Sequence, residues 1–222
     1  MRFIAVGDLH MDWANLARIP GIDTADLLLV TGDLTNFGRT AEAVTALTAI
    51  RQANPNLLAL AGNLDHPEVN DLLADHGISL HGIGRRYGDL ALCGVGGSNP
   101  TPFDTPNEFP EAELSTLLAQ GHRHVRGDGP LLLVTHAPPK GTAADRLANG
   151  AHVGSSAVRE FIAEHQPAVA ICGHIHEARG TDRLGRTTII NPGMLKEGGY
   201  VVVDAEKGQL HARLEILSGS KP

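Results

Sequence analysis

No apolar run in this 222-residue chain approaches the roughly 18 residues needed to span a bilayer. Basic residues are not in excess either: 18 Lys and Arg stand against 25 Asp and Glu, a formal net charge of -7. That balance argues against a broad footprint on nucleic acid or on an anionic membrane. It leaves room for a locally positive pocket, because bound metal ions are often the largest charges in a site. Cysteine is scarce. Cys93 and Cys172 each sit in an apolar, strand-like run, so two buried free thiols in a reducing compartment are expected, and nothing recommends a disulfide between them. The opening Met-Arg-Phe-Ile-Ala-Val-Gly-Asp reads as a strand entering a motif and not as a signal peptide, which makes the cytoplasm the expected location. Repeats, low-complexity tracts and internal linkers are missing too.

What is present in quantity is histidine (12) and glycine (26). Histidine is the commonest metal ligand and titrates near neutral pH, and the glycines imply many tight turns. The length suits one domain with a substantial core, expected over 1–217, with a flexible tail over 218–222. Strand and helix patterns alternate, which points to an α/β fold. Strands are expected over 2–7, 26–31, 57–61, 130–135 and 168–172. Helices are expected over 12–18, 39–53, 67–76, 110–120 and about 155–165, the last capped by Ser155 or Ser156. Residues 78–97 read as short strands between glycine turns. From 186 onward the pattern is hairpin-like, with strands over 186–191, 200–204 and 209–217. Two long loops, 98–110 and 137–153, interrupt the pattern, and loops of that length in a compact domain are usually functional or disordered.

The informative feature is where the polar residues fall. Apolar runs lead into Asp8-Leu9-His10, Gly32-Asp33-Leu34, Gly62-Asn63-Leu64-Asp65, Thr135-His136 and Gly173-His174-Ile175-His176. A buried strand that ends in a ligand-type side chain delivers it to the edge of the sheet, where open α/β sheets bind ligands. Five such endings imply one shared polynuclear metal site. The spacing of two in Asp8/His10 and His174/His176 places each pair on one side of an extended segment. Asp33 has two oxygens with which to bridge two cations, and Gly32 lets the chain turn sharply before it. A mixture of imidazole, carboxylate and amide oxygen suits Mn²⁺, Fe, Co²⁺, Ni²⁺ or Zn²⁺ better than Mg²⁺ or Ca²⁺. Two such ions about 3.5–4 Å apart would hold a bridging hydroxide and clamp a phosphate.

The order Asp-x-His, Gly-Asp, Gly-Asn, His, Gly-His-x-His resembles the calcineurin-like metallophosphoesterase superfamily, from residue 1 to about 216. Gly96 to Phe103, Thr135 to Pro139, Gly62 to Asp65 and His152 to Ser155 resemble a branch of small bacterial and archaeal phosphoesterases related to the cyclic-nucleotide phosphodiesterase group. The resemblance implies a four-layer α-β-β-α sandwich with two central mixed sheets. It implies that Asp8, His10, Asp33 and His176 hold one ion and that Asp33, Asn63, His136 and His174 hold the other, with manganese the foremost candidate. It also exposes a departure. The usual word is Gly-Asn-His, whose His helps protonate the leaving group, and this chain has Leu64 there. His66 is one candidate replacement and water is the other. Asp65 is expected to hydrogen-bond a ligating histidine.

Around the site, Asn99 and His152 are candidate substrate-binding residues, with Phe103 as a wall of the pocket, and Lys140 and Arg146, though able to reach a phosphate, read as solvated loop charges. His81 is expected to be a surface or locally satisfied residue, and Asp145 a turn residue. The expected activity is hydrolysis of small phosphate esters, diesters ahead of monoesters, through the bridging hydroxide, with Asp33, Asn63, His136 and His66 at the reacting centre. The alternatives are a non-catalytic scaffold of the same fold that binds a protein partner, and a nuclease. A small-molecule phosphate ester is the expected partner. A membrane and long nucleic acid are not expected, and the oligomeric state is left open.

Overall fold

A computed structural model describes residues 1–219. The end of the expected C-terminal tail, residues 220–222, lies outside the described residues. The elements follow in the order β1 (Arg2–Val6), β2 (Leu27–Val30), α1 (Thr40–Ala53), β3 (Leu57–Ala59), α2 (Glu68–Asp75), β4 (Gly84–Tyr87), β5 (Leu90–Val95), α3 (Glu111–Arg123), β6 (Leu131–Thr135), α4 (Ser156–His165), β7 (Val169–Ile171), β8 (Gly180–Leu184), β9 (Thr187–Asn191), β10 (Gly199–Glu206) and β11 (Gln209–Ile216). They form two sheets, one ordered β11-β10-β1-β2-β3 and the other β4-β5-β6-β7-β9-β8.

The period of two along each strand builds the layers. In β1, Ile4 and Val6 face the helices α1 and α2, while Phe3 and Ala5 face the second sheet. β2 repeats this, with Leu28 and Val30 outward and Leu27 and Leu29 inward. In the second sheet, Leu132 and Val134 of β6 join the central core, and Leu133 packs with Leu114, Leu118, Val158 and Ile162 of α3 and α4. Strands buried on both faces read as continuous apolar runs, because neither face meets water. The result is the expected four-layer α-β-β-α arrangement with two mixed sheets.

Within each sheet the central pairs are parallel: β1, β2 and β3 in one, and β5, β6, β7 and β9 in the other. Their carboxyl ends therefore lie at one edge. Gly97 N–H donates to Ala61 O at 2.8 Å, tying the two sheets together there. Every motif named above leaves its sheet at this edge.

Local expectations differ in two places. The helix expected over 12–18 is only a single 3-10 turn, Leu16–Arg18. Residues 12 and 13 are irregular and 14 and 15 a turn, with Asp12 N–H on Leu9 O and Leu16 N–H on Trp13 O. β8 was not expected at all: Gly-Thr-Asp-Arg-Leu has no apolar run. It is an edge strand paired only with β9 and half-buried on alternate residues, a position that tolerates charge. Ser155 is the cap of α4, its side chain accepting from Val158 N–H.

Cys93 and Cys172 are free and buried, as expected. Burial pushes the Cys93 thiol up to about 12 and the Cys172 thiol higher still. A thiol held protonated and out of solvent is unreactive. Both cysteines are expected to resist alkylation in the native protein and to react only in denaturant. Modification of either under native conditions, read by mass spectrometry, would contradict this packing.

Candidate metal centre

Seven candidate ligands converge where the parallel strands of both sheets end. Asp8 and His10 follow β1, Asp33 follows β2 and Asn63 follows β3. His136 follows β6, and His174 and His176 follow β7. The loops continue the ladder for a few residues: Asp8 N–H donates to Gly32 O (3.1 Å), His10 N–H to Asp33 O (2.9 Å) and Gly173 N–H to His136 O (3.0 Å).

The simple alternation rule is not what aims these side chains. Asp8, His10, Asp33 and His174 all have positive φ, between 47° and 68°. Asp and His are among the residues that tolerate this region, at a cost of about 1–3 kcal/mol each. Close approach of the loops also demands glycine. A Cβ on Gly62 would collide with the Asp33 carboxylate, and one on Gly32, at φ 124°, would collide with the His136 ring.

Asp8, His10, Asp33 and His176 each offer one ligand-type atom, all within 4.8 Å of one another. His10 Nε2 faces His176 Nε2 at 3.0 Å and Asp33 Oδ2 at 3.7 Å, and His176 Nε2 lies 3.5 Å from Asp8 Oδ1. On the other side of Asp33, Oδ1 lies 3.6 Å from His136 Nε2, which is 2.9 Å from Asn63 Oδ1. The His174 ring stands beside them, its centroid 5.2 Å from that of His136, and the backbone N–H of His174 donates to both Asp8 oxygens (3.1 and 3.2 Å).

Protonation tests whether these residues fit a cation. Burial pushes His136 down to about 3 and His174 down to about 4, so both are neutral at neutral pH. His136 Nδ1 faces Thr31 O at 3.1 Å, an atom that can only accept, so the proton is on Nδ1 and Nε2 carries a lone pair. Asn63 Nδ2 donates to Thr105 Oγ1 at 3.0 Å, which fixes the amide and points Oδ1 at that lone pair. Two acceptors 2.9 Å apart with no proton between them repel each other, and a cation removes the repulsion. The Nδ1 of His10 is likewise buried with no partner. The donor set therefore fits divalent transition metals.

The carboxylates reinforce this. Burial first, then the nearby Asp65 and Asp8, hold the Asp33 carboxyl well above the usual carboxylate range, against the Leu64 N–H that favours its charge (2.9 Å). Burial also opposes the charge of Asp8, but the His176 hydrogen bond and the neighbouring His136 and His10 outweigh it and hold Asp8 below its ordinary value. His176 is raised: burial lowers it, and its contact with Asp8 more than compensates.

A family model described as calcineurin-like phosphoesterase matches residues 1–178. The chain belongs to that family. An uncharacterized protein of Methanocaldococcus jannaschii, MJ1162, is 34% identical over 214 residues, covering 95% of this chain and 94% of that protein. UPF0046 protein C25E10.12 of Caenorhabditis elegans is 24% identical, over 86% of this chain and 74% of that one. Among solved structures, TT1561 of Thermus thermophilus superposes with a TM-score of 0.70 at 17% identity, covering 96% of this chain and 97% of its own. A dimetal phosphatase from Danio rerio superposes at 0.58 with 11% identity, covering 98% and 99%. At these identities the two structures establish the fold alone.

The remaining expected residues fall less neatly in this calcineurin-like phosphoesterase. Asp65 does not bond a ligating histidine. Its buried carboxylate takes the backbone N–H groups of Leu34 (3.1 Å), Thr35 (2.8 Å) and Gly62 (2.8 Å) and the Thr35 hydroxyl (2.7 Å), stapling the Asp33 loop to the Asn63 loop. His66 lies at the start of α2, its backbone N–H on Gly38 O (3.1 Å). It lines neither the groove beside His10 and Leu64 nor the cavity beside Asn63 and His174. His152, 38% exposed, turns Nδ1 onto Asp145 Oδ1 (2.6 Å) and does not line that cavity, although Val153 and Gly154 do. The N-terminus of α4 behind it is filled by Glu111, which takes Ser155 Oγ (2.6 Å), Ser156 N–H (2.9 Å) and Ala157 N–H (2.9 Å). Asn99 and Lys140 line the cavity, and Arg146 lines a separate groove. Asp145 does lie in a turn, the 3-10 turn Ala143–Asp145, but is fully buried, gathering Gly141, Thr142 and Gly154 N–H groups. His81 is the locally satisfied alternative: its Nδ1 accepts Gly96 N–H at 3.2 Å, and burial pushes it down to about 4.

The sequence reading missed Thr105 and Glu108. Glu108 takes the Thr105 hydroxyl (2.5 Å) and N–H (2.8 Å) and the Thr101 hydroxyl (2.6 Å) and N–H (3.0 Å), and Thr105 in turn holds the Asn63 amide. The spacing Thr105-x-x-Glu108 is that of a capping box, although here the Thr105 hydroxyl donates to Glu108 instead of accepting its N–H, and it was the available signal.

Two outcomes are expected. A carboxyl with a raised folded pKa supports folding below its unfolded value and loses that support as pH rises through the folded value. Asp33→Asn should therefore melt a few degrees higher than the parent in chelator at pH 7, and lose the parent's stabilisation by added Mn²⁺. An unchanged or lower melting temperature in chelator would count against the buried-charge account. Thr105→Val should weaken one of two bound metal ions by about 10–100-fold and leave the other unchanged, as read by calorimetric titration of the metal-free protein.

Proposed function

We propose that this chain hydrolyses small phosphate esters, diesters ahead of monoesters, as a dinuclear metalloenzyme with manganese the foremost metal. The observation that carries the reading is the convergence of unprotonated lone pairs on the two sides of Asp33. Bound there, divalent ions supply Lewis acidity, lowering the pKa of water and neutralising charge on the phosphoryl group. Asp8, His10, Asp33 and His176 would hold one ion, and Asp33, Asn63, His136 and His174 would hold the other. In support of a bridging role, the two Asp33 oxygens already face opposite halves, Oδ2 toward His10 and Oδ1 toward His136. Asp65 keeps the Asp33 and Asn63 loops in register, and Thr31 O keeps His136 in the tautomer that leaves Nε2 free.

Room for a second ester arm beside Asn63 and His174 favours diesters. The net charge of -7 speaks against long nucleic acid as substrate. Among the described residues no helix is long and apolar enough to cross a membrane, and the two buried free thiols fit a reducing cytoplasm. Residues 1–217 form the single catalytic unit in this reading. Against a protein-binding scaffold stands the full ligand set.

Leu64 sets the chemical limit. Its side chain borders the groove beside His10 and His176 and has no proton to give, and His66 does not border it. Leaving groups must depart as stable anions or take a proton from water. The test is hydrolysis of a chromogenic diester and its matching monoester by metal-stripped protein restored with Mn²⁺, Ni²⁺, Co²⁺, Zn²⁺ or Mg²⁺, with Asp33→Asn alongside. Metal-dependent turnover of the diester that disappears in Asp33→Asn is expected. Leu64→His should raise the rate on alkyl esters at least tenfold and change that on nitrophenyl esters little. Silence with every metal in folded, metal-loaded protein would sink the proposal.

A further inference from the structure

Beside the metal centre, a cavity of about 450 Å³ opens between the 98–110 loop and the corner at His174 and Ile175. Asn63 and His174 form one end of it. That volume lies in the range of small-molecule sites. A phosphoryl group held at the metal centre would direct one ester arm into this space.

The wall is apolar where a ligand would touch it. Pro100, Pro102, Phe103, Leu147, Val153 and Ile175 contribute hydrophobic surface. Phe103 is 80% exposed, the most exposed large hydrophobic residue described. A contiguous apolar patch left open beside a polar site marks a binding surface. Thr101 and Glu111 of the same wall spend their side-chain groups on the protein, while Lys140 is exposed at its rim. Asn99 Nδ2 donates to Val153 O (3.2 Å), and its Oδ1 is shut off from solvent with no partner. The Thr101 hydroxyl donates to Glu108 (2.6 Å), and Glu111 is saturated by the three donors at the start of α4. Against Pro100, Pro102 and Phe103 an arm rich in hydroxyls would leave its own groups unpaired, a cost that an apolar arm does not incur.

The wall is also preformed. Glu108 draws Thr101 and Thr105 together, Asn107 N–H donates to Asn63 O (3.2 Å), and Asn107 Nδ2 donates to Gly62 O (2.9 Å). The segment that carries Phe103 is thereby anchored to the corner that carries Asn63. Little ordering is left to do when a ligand enters, which favours affinity.

We propose that this cavity seats the organic arm of the ester and selects an apolar, ring-sized arm, with Phe103 as the specificity-determining residue. The inference rests on the phosphoesterase reading, since it is the phosphoryl group that brings the arm to Asn63 and His174.

The test compares phenylphosphonate with methylphosphonate, two probes with the same head group, by calorimetric titration of the Mn²⁺-loaded full chain. Phenylphosphonate is expected to bind at least tenfold more tightly. Phe103→Ala should remove most of that advantage without changing methylphosphonate affinity, and Phe103→Leu should restore part of it. In hydrolysis, Phe103→Ala should raise KM for a phenyl diester and leave kcat largely intact. Equal affinity for the two phosphonates, or a phenyl preference untouched by Phe103→Ala, would overturn the arm assignment and leave the phosphoesterase reading standing. Failure to bind either probe, together with no turnover of any ester, would overturn both.

Discussion

The structure is organised around one electrostatic problem. Asp8, Asp33 and Asp65 are all buried at the shared edge of the two sheets. Burial, and then the charge of Asp65 and Asp8 beside it, holds the Asp33 carboxyl well above its ordinary value. A structural core would replace such a group with something apolar. Here neutral imidazoles surround it and add lone pairs where protons would be expected. The arrangement becomes favourable when positive charge arrives, so the metal centre is the completion of the fold at this edge.

Holding that cluster together without metal falls to ordinary hydrogen bonds. The carboxylate of Asp65 spans three backbone N–H groups and a hydroxyl, joining the loops after β2 and β3. Glu108 does similar work in the 98–110 loop and reaches Asn63 through Thr105. Asp145 organises the 137–153 loop in the same manner. Each is a buried or half-buried acid whose partners are mainly backbone donors and hydroxyls, so it fixes loop geometry with no cation. Acids at this edge thus divide into those satisfied by the chain and those left with lone pairs facing inward.

Strain follows the same division. Four of the expected ligands have positive φ, whereas Asn63 and His136 do not. The latter two are steered by partners instead, Thr105 for the amide and Thr31 O for the ring. Two physical devices, backbone conformation and outer hydrogen bonds, bring side chains from opposite sheets to one place. The same segments also line the apolar cavity, so the cavity and the ligand cluster share a support.

The sequence by itself determined the layers and the site's membership. Runs such as Leu27 to Val30 and Leu131 to Val134 are buried on both faces wherever they pack, so their apolar character is enough to make them strands. A strand's end is equally local, which is why Asp8, Asp33, Asn63, His136 and the Gly-His-x-His word were legible as one cluster. Tertiary structure decided the rest. The polar edge strand β8 has meaning only beside β9. The orientation of Asp8 and His10 comes from left-handed backbone that alternation does not foresee. The distance of His66 and His152 from the cavity, and the bond between Asn63 and Thr105, 42 residues apart, depend on how loops from two sheets meet. Periodicity and burial act between neighbours in the chain and can be read from it. Contacts across the sandwich arise only after both sheets have packed, and they choose which polar group faces inward.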